Sequence, residues 1–561
     1  LNPAAALQVP SSLEPSLNSA QLPRSAFLEP NLLHSLQLSP DGQKVAYLQG
    51  ELGKRALWMQ SLDQKSAARL LPKVDANELL WTSDGQWLFL VANAQLSVYR
   101  IDGKAGSARI ARLNEGLLHE VIAVDPSEPA VLVLEHTLPD AVRPHARLLR
   151  IAASGHQQTL YEDALPLGDA VLSADGKVAY LRRIEGDQHV ILRLRFGQEP
   201  VAVARCIELE RCQFSSVDSS DGSLWLISNH AQNFSTLQRL RVDGGFEVHH
   251  LDPQNLADID TVSTDPVSGV PLLTSYRSVE SKAYGLNDRV QSALAHLHAQ
   301  LPGRDLTVQM GRGPNAQWLI SERDSCLPQA RWHTFNPGTK EMRQLLLGEP
   351  KRLDCSAFVR KSAVQWSASD GMRLHGFLSL PKGVDPRLLP LVVSVHGGPW
   401  SASKPVYSPV TQLLVNRGYA VFEPNFRGST GLGRDYVLAA NGDFGNGRVL
   451  GDIVEGTRAM LAQGIGDERR VAIQGVSFGG YAALQAVTFH PDLFKVAIAG
   501  VPPTDFGWAL RWAIEQSDLR DQIGTPLASR FKMLGVDPSD QNLMQGLHEQ
   551  SPLANAAQLQ R

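Results

Sequence analysis

A chain of 561 residues is too long for one ordinary domain, and 43% hydrophobic with 20% charged residues excludes a disordered polymer. Its 53 Lys and Arg against 57 Asp and Glu leave a net charge of −4, which gives no electrostatic basis for a nucleic-acid or membrane partner. No apolar run reaches the roughly eighteen residues of a membrane span, and the chain opens on Leu1, as a soluble mature chain with its targeting peptide removed would.

Residues 1–29 read as an N-terminal extension. From residue 30 a repeat begins, carried by short turn signals: Ser39-Pro40-Asp41-Gly42, Ser83-Asp84-Gly85, Asp125-Pro126-Ser127, Asp175-Gly176, Asp221-Gly222, Asp265-Pro266 and a degenerate Pro314-Asn315. The steps between them are 43, 41, 50, 46, 44 and 50 residues. Strand-forming runs follow the turns, such as Val45–Leu48, Trp87–Leu90, Val178–Leu181 and Leu224–Ile227. Glycine supplies the positive φ of a tight hairpin, and β-branched and aromatic side chains fill the pleated faces. A period of ~40–50 residues with several short strands per unit is the signature of a β-propeller, and seven markers predict seven blades over residues 30–355. The segment Arg289–Leu301 breaks the pattern with Val290, Leu294, Leu297 and Leu301 on one helical face, and reads as an insertion between blades.

The four cysteines fall into two local couples, Cys206 with Cys212 and Cys326 with Cys355. Two disulfides formed in an oxidising compartment, periplasmic or secreted, are expected; buried free thiols in a cytoplasmic protein are the alternative. Neither couple has metal-site spacing, so no metal is expected.

Residues 356–561 change period. Trp366–Pro381 reads as a hairpin; apolar strands follow at Leu391–Val395, Ala420–Glu423, Val471–Gln474 and Val496–Ala499, separated by helical stretches. Such alternation predicts an α/β domain with a parallel sheet. The third of these strands runs into Gly475-Val476-Ser477-Phe478-Gly479-Gly480 and then a helix closed by Pro491. This is G-x-S-x-G in the strand–turn–helix setting of an α/β-hydrolase nucleophile, which makes Ser477 the catalytic candidate and the Phe478 N–H an oxyanion donor.

Around that turn, His396-Gly397-Gly398-Pro399, Asn425-Phe426-Arg427-Gly428-Ser429-Thr430-Gly431, Gly442-Asp443-Phe444-Gly445, Asp492-Leu493-Phe494-Lys495 and Pro503-Thr504-Asp505-Phe506 occur in an order that resembles the catalytic domain of the prolyl oligopeptidase family, nearest its acylaminoacyl-peptidase and dipeptidyl-peptidase branches. The resemblance implies a serine peptidase for short peptides without a cofactor, and a propeller that restricts entry. It assigns the second oxyanion donor to the Gly398 N–H and an aromatic substrate wall to Phe506, Trp508 and Trp512. It also implies that the triad acid and base follow Arg561, so that the catalytic domain is incomplete as printed. His396 precedes the serine and reads as a loop-positioning residue, since the fold orders its triad serine, acid, histidine. Asp537 and His548 have the required order but lie in a polar helical stretch. A carboxylesterase on the same scaffold and a non-catalytic propeller scaffold are the competing functions. The sequence leaves homo-oligomerisation open.

Overall fold

The computed structural model describes residues 21–559 except 29–30, 65, 103–105, 139–144, 314–315, 348–352, 354 and 518–524. Seven consecutive sheets span Leu33–Leu345, each from one contiguous stretch of chain; six have four strands and the sixth, Ile259–Gly285, has three. This is the seven-bladed propeller.

The six described turn markers each fall between the first and second strand of their blade, and local chemistry explains the choice. Asp41, Asp84 and Asp175 each accept a hydroxyl bond from a Ser or Thr two residues earlier, at 2.6, 2.5 and 2.7 Å. The same carboxylates take a backbone N–H two residues later, at 3.0 to 3.1 Å. The aspartate thus closes the turn on both sides while the next glycine adopts φ near +69°, as Gly42 and Gly176 do. The seventh marker, Pro314-Asn315, lies outside the described residues.

The helix Asp288–Gln300 sits between the sixth and seventh blades and packs on Lys282–Gly285, the outermost strand of the three-stranded blade. It burys Val290, Ala293, Leu294 and Leu297 against Leu273 and Trp318. An amphipathic helix there covers an edge that a fourth strand covers elsewhere. Among the described residues no strand is exchanged between the chain ends; blade seven meets blade one through the Arg312 N–H, which donates to Pro40 O at 2.7 Å, and through Gln309, whose Oε1 accepts the Leu38 N–H and whose Nε2 donates to Leu36 O, both at 3.0 Å.

The second domain holds a six-stranded sheet in the order Ser362–Ser367, Arg373–Ser379, Ala420–Asn425, Leu391–Val395, Val471–Val476, Val496–Gly500. The opening hairpin joins it antiparallel, and the last four strands are mutually parallel. Among the described residues the chain passes between the domains twice. Residues 21–28 return to the hydrolase-like domain, where Phe27 packs on Phe358 at 5.8 Å and the Leu22 N–H donates to Asn416 Oδ1 at 3.0 Å.

The propeller rests on loops that leave the carboxyl ends of the sheet strands. Lys404 reaches Asp260 at 3.2 Å, the Asp258 N–H donates to Gly431 O at 3.0 Å, and Asn233 takes N–H groups from Arg434 and Asp435 at 2.9 and 2.8 Å. That is the edge of the sheet at which Ser477 lies.

Both cysteine pairs are disulfide-bonded. Cys206–Cys212 closes the connection between blades four and five, and Cys326–Cys355 ties blade seven to the segment leading into the second domain.

Candidate active site

The strand Val471–Val476 lies between Leu391–Val395 and Val496–Gly500, with Val395 opposite Gly475 and Val476 opposite Gly500. At its end Ser477 adopts φ 58°, ψ −124°, a left-handed conformation that a serine reaches only under steric pressure. The pressure comes from the helix Phe478–Phe489, which must start at once and lie tight against the sheet. A Cβ on Gly479 would fall 2.2 Å from Val395 O, and one on Gly475 would fall 2.3 Å from the Gly479 carbonyl carbon. Only glycine lets the chains come this close. The result is an exposed Ser477 side chain at the tip of a rigid corner.

The loop from His396 lies beside it. A Cβ on Gly397 would stand 3.6 Å from Ser477 Cβ. Gly398, at φ 124°, lets the loop turn there; a Cβ would meet the Trp400 nitrogen at 2.7 Å. The first N–H groups of the Phe478–Phe489 helix have no intrahelical acceptor, and the helix end adds positive potential where an oxyanion would form.

Beneath this corner the separate motifs meet as one aromatic cluster. Phe478 packs on Phe426, Phe444 and Phe506 at centroid distances of 5.6, 5.7 and 5.2 Å. Tyr481 joins Phe506 at 5.7 Å and donates its hydroxyl to Phe444 O at 3.0 Å. Trp400 packs on Phe444 at 5.6 Å. Phe506 is 4% exposed, so the structure corrects its assignment to the substrate wall: it braces the nucleophile turn from below. Trp508 and Trp512, by contrast, are 58% and 50% exposed and stack on one another at 6.1 Å.

His396 is partly buried, stacks on Phe426 at 4.4 Å, donates Nδ1–H to Gly397 O at 2.8 Å and lies 2.9 Å through Nε2 from the Ser429 hydroxyl. Burial pushes its pKa down to about 4, so it is neutral and fixed in its loop. Arg427 is bound bidentately by Asp452 at 2.8 Å and meets Asp370 at 2.9 Å, a structural ion-pair network that joins the Asn425–Gly431 loop to the Arg448–Ala462 helix.

The Asp537–His548 couple does not form. Asp537 binds Lys532 and Ser539, whereas His548 Nδ1 lies 2.7 Å from Asp505 Oδ2. Asp505 also caps the Phe506–Glu515 helix through the Trp508 N–H at 3.0 Å. Sequence order had not suggested that partner; the only signal was Asp505 in helix-capping position ahead of Phe506. The second domain has four histidines, His375, His396, His490 and His548; among the described residues none hydrogen-bonds the Ser477 hydroxyl. One cluster of metal-type donors occurs among the described residues, Asp324 with Cys326 and Cys355, and its sulfurs are joined in a disulfide and offer no thiolate.

Comparison with known proteins agrees with this geometry. A family model described as the prolyl oligopeptidase family matches residues 405–554. Dipeptidyl aminopeptidase BIII of Pseudoxanthomonas mexicana is 25% identical over 583 residues, covering 100% of this chain and 82% of that protein. The acylamino-acid-releasing enzyme of Mus musculus is 34% identical over 118 residues, 21% of this chain and 16% of the relative. The crystal structure of a puromycin hydrolase superposes with a TM-score of 0.70 at 16% identity, over 97% of this chain and 87% of that one. Residues 405–554, folded around the Ser477 corner and capped by a seven-bladed propeller, thus match a prolyl oligopeptidase family domain.

Proposed function

We propose that Ser477 is the nucleophile of a peptidase that cleaves short peptides through an acyl-enzyme, with the Phe478 and Gly398 N–H groups holding the oxyanion. The observation that carries the reading is the strained, exposed Ser477 at the start of a helix, flanked by glycines that no other residue could replace. Donors already in place for the tetrahedral oxyanion are worth about 3–4 kcal/mol each to the transition state. The resemblance of the chain to a dipeptidyl aminopeptidase and to acylamino-acid-releasing enzymes supports release of short N-terminal units as the reaction.

A general base and its carboxylate complete this chemistry. With His396 and His548 held by other partners, the reading assigns both groups to residues outside 1–561. Among the described residues no strand pairs with the outer side of Val496–Gly500, where Val496 and Ile498 are 53% and 60% exposed, and this supports further sheet beside it. Trp508 and Trp512 offer an apolar surface for the residue on the acyl side of the scissile bond. The propeller, seated on the carboxyl edge of the sheet, acts as a size filter. The two disulfides support a periplasmic or secreted location.

The test compares, on the full-length natural protein, a peptide and an ester carrying the same acyl group, and a series of peptides of rising length. Turnover of the peptide that falls steadily with length supports the reading. Turnover of the ester alone would make the protein an esterase.

A further inference from the structure

Beside Ser477, residues 396–399 meet residues 425–431 through side chains whose donor and acceptor roles follow from their partners. His396 Nδ1 lies 2.8 Å from Gly397 O, and a carbonyl only accepts, so Nδ1 carries the proton. The ring is neutral, its pKa lowered to about 4 by burial. Nε2 is then a bare acceptor, and the Ser429 hydroxyl, 2.9 Å away, donates to it. Ser429 is fully buried, and Phe426 stacks on the imidazole at an interplanar angle of 14°, so the ring is held in one plane and one tautomer.

This fixes more than the histidine. The Gly397–Gly398 peptide is trans, so the Gly398 N–H points away from the Gly397 carbonyl. Glycine on both sides leaves that peptide plane free to turn. The bond from His396 to Gly397 O selects one orientation, and with it the direction of the Gly398 N–H. The plane stands close to the nucleophile: a Cβ on Gly397 would lie 3.1 Å from Val476 O and 3.6 Å from Ser477 Cβ.

The propeller holds the chain that follows Ser429. The Thr430 N–H donates to Ser401 O at 2.9 Å, which ties the two loops together. Gly431 O accepts the Asp258 N–H at 3.0 Å, and Asp258 Oδ2 accepts the Gly433 N–H at 3.4 Å. Asn233 accepts the Arg434 N–H on its backbone oxygen at 2.9 Å and the Asp435 N–H on Oδ1 at 2.8 Å. Asn233 lies between the second and third strands of blade five, and Asp258 stands at the entry to blade six.

We propose that Ser429 and His396 are positioning residues for the Gly398 N–H as oxyanion donor, and that blades five and six hold them in place through residues 431–435. The propeller then supports the chemical step as well as filtering substrate. The proposal rests on the reading of Ser477 as nucleophile and Gly398 as donor.

Steady-state kinetics of the full-length natural protein on one short peptide amide, with fluorophosphonate labelling alongside, tests it. Ser429→Ala should lower kcat by about 10- to 100-fold while KM moves by less than about threefold, because the lost contact acts on the transition state. An asparagine amide reaches the place of Nδ1 and a glutamine amide that of Nε2. His396→Asn should therefore keep a kcat about fivefold or more above that of His396→Gln. Asn233→Ala, at a half-buried contact of the propeller, should lower kcat by about three- to tenfold at unchanged KM, and stays informative if Ser429→Ala impairs folding. An unaltered kcat in Ser429→Ala, or equal kcat in the two His396 variants, would overturn the proposal. A change confined to KM in Asn233→Ala would overturn the propeller's part in it. Turnover by the natural protein without labelling at Ser477 would overturn the nucleophile reading and the proposal with it, which separates the two failures.

Discussion

At the residue scale, the arrangement turns on side chains whose size or charge has no substitute. Gly479→Ala places a methyl group 2.2 Å from Val395 O and should lower stability by roughly 3 kcal/mol, read as an earlier denaturant midpoint, with loss of activity. His396 gives a pH dependence with a definite sign. Its folded pKa of about 4 lies below the ordinary 6.5, so the unfolded chain binds the extra proton. The stability it contributes is complete above pH 6.5 and declines as pH falls toward 4. His375, buried and also lowered to about 4, acts in the same direction. His396→Gln should therefore flatten the fall of melting temperature between pH 6.5 and 4, in scans at fixed ionic strength; an unchanged slope would show that His396 is solvated. Ser477 and the glycines around it were legible in the sequence because their constraint is local. Phe506 was not. Its burial depends on Phe444 and Phe478, brought to it by the fold, and an aromatic side chain reads the same on a core face and on a pocket wall. The partner of His548 was hidden for a related reason, since chain order offered only Asp537, set aside as part of a polar helix, while packing of two helices chose Asp505.

At the element scale, the blades were readable because each turn satisfies itself: a Ser or Thr, an Asp and a Gly within four residues, repeated at even steps. The helix Asp288–Gln300 was legible as a break in that pattern, but its task of covering a three-stranded blade belongs to the neighbouring strand and could not be read from its own residues. Ring closure was equally hidden, because its contacts join residues some 270 positions apart, Leu36 and Leu38 with Gln309. Gln309→Ala removes both closing hydrogen bonds made by its side chain, leaving the backbone bond of Arg312 N–H to Pro40 O, and should cost about 1–3 kcal/mol. Amide exchange should quicken at Leu36–Leu38 more than in blades three and four; uniform exchange across the ring would locate the closure elsewhere. On the Phe506–Glu515 helix, Trp508→Ala with Trp512→Ala should raise KM for peptides with large apolar residues before the scissile bond by about tenfold, leaving kcat for small ones nearly unchanged. Equal loss for both substrate types would make the tryptophans a surface feature without contact to substrate.

At the scale of the whole molecule, two domains joined by two chain passages and a disulfide bring a propeller onto the edge of the sheet where Ser477 is exposed. The sequence disclosed both domains through their different periods, but not how they meet, since Asn233, Asp258 and Asp260 carry no motif and gain their meaning only from Gly431, Arg434 and Lys404 opposite. The central claim is that this assembly presents Ser477 as an acylating nucleophile. Reaction of the full-length natural protein with a fluorophosphonate, followed by mass spectrometry of the labelled peptide, tests it most directly. The account predicts a single adduct on Ser477, and loss of labelling in Ser477→Ala with an unaltered melting temperature and turnover lower by roughly 10⁴-fold or more. An adduct on another residue, or labelling that survives Ser477→Ala, would contradict it.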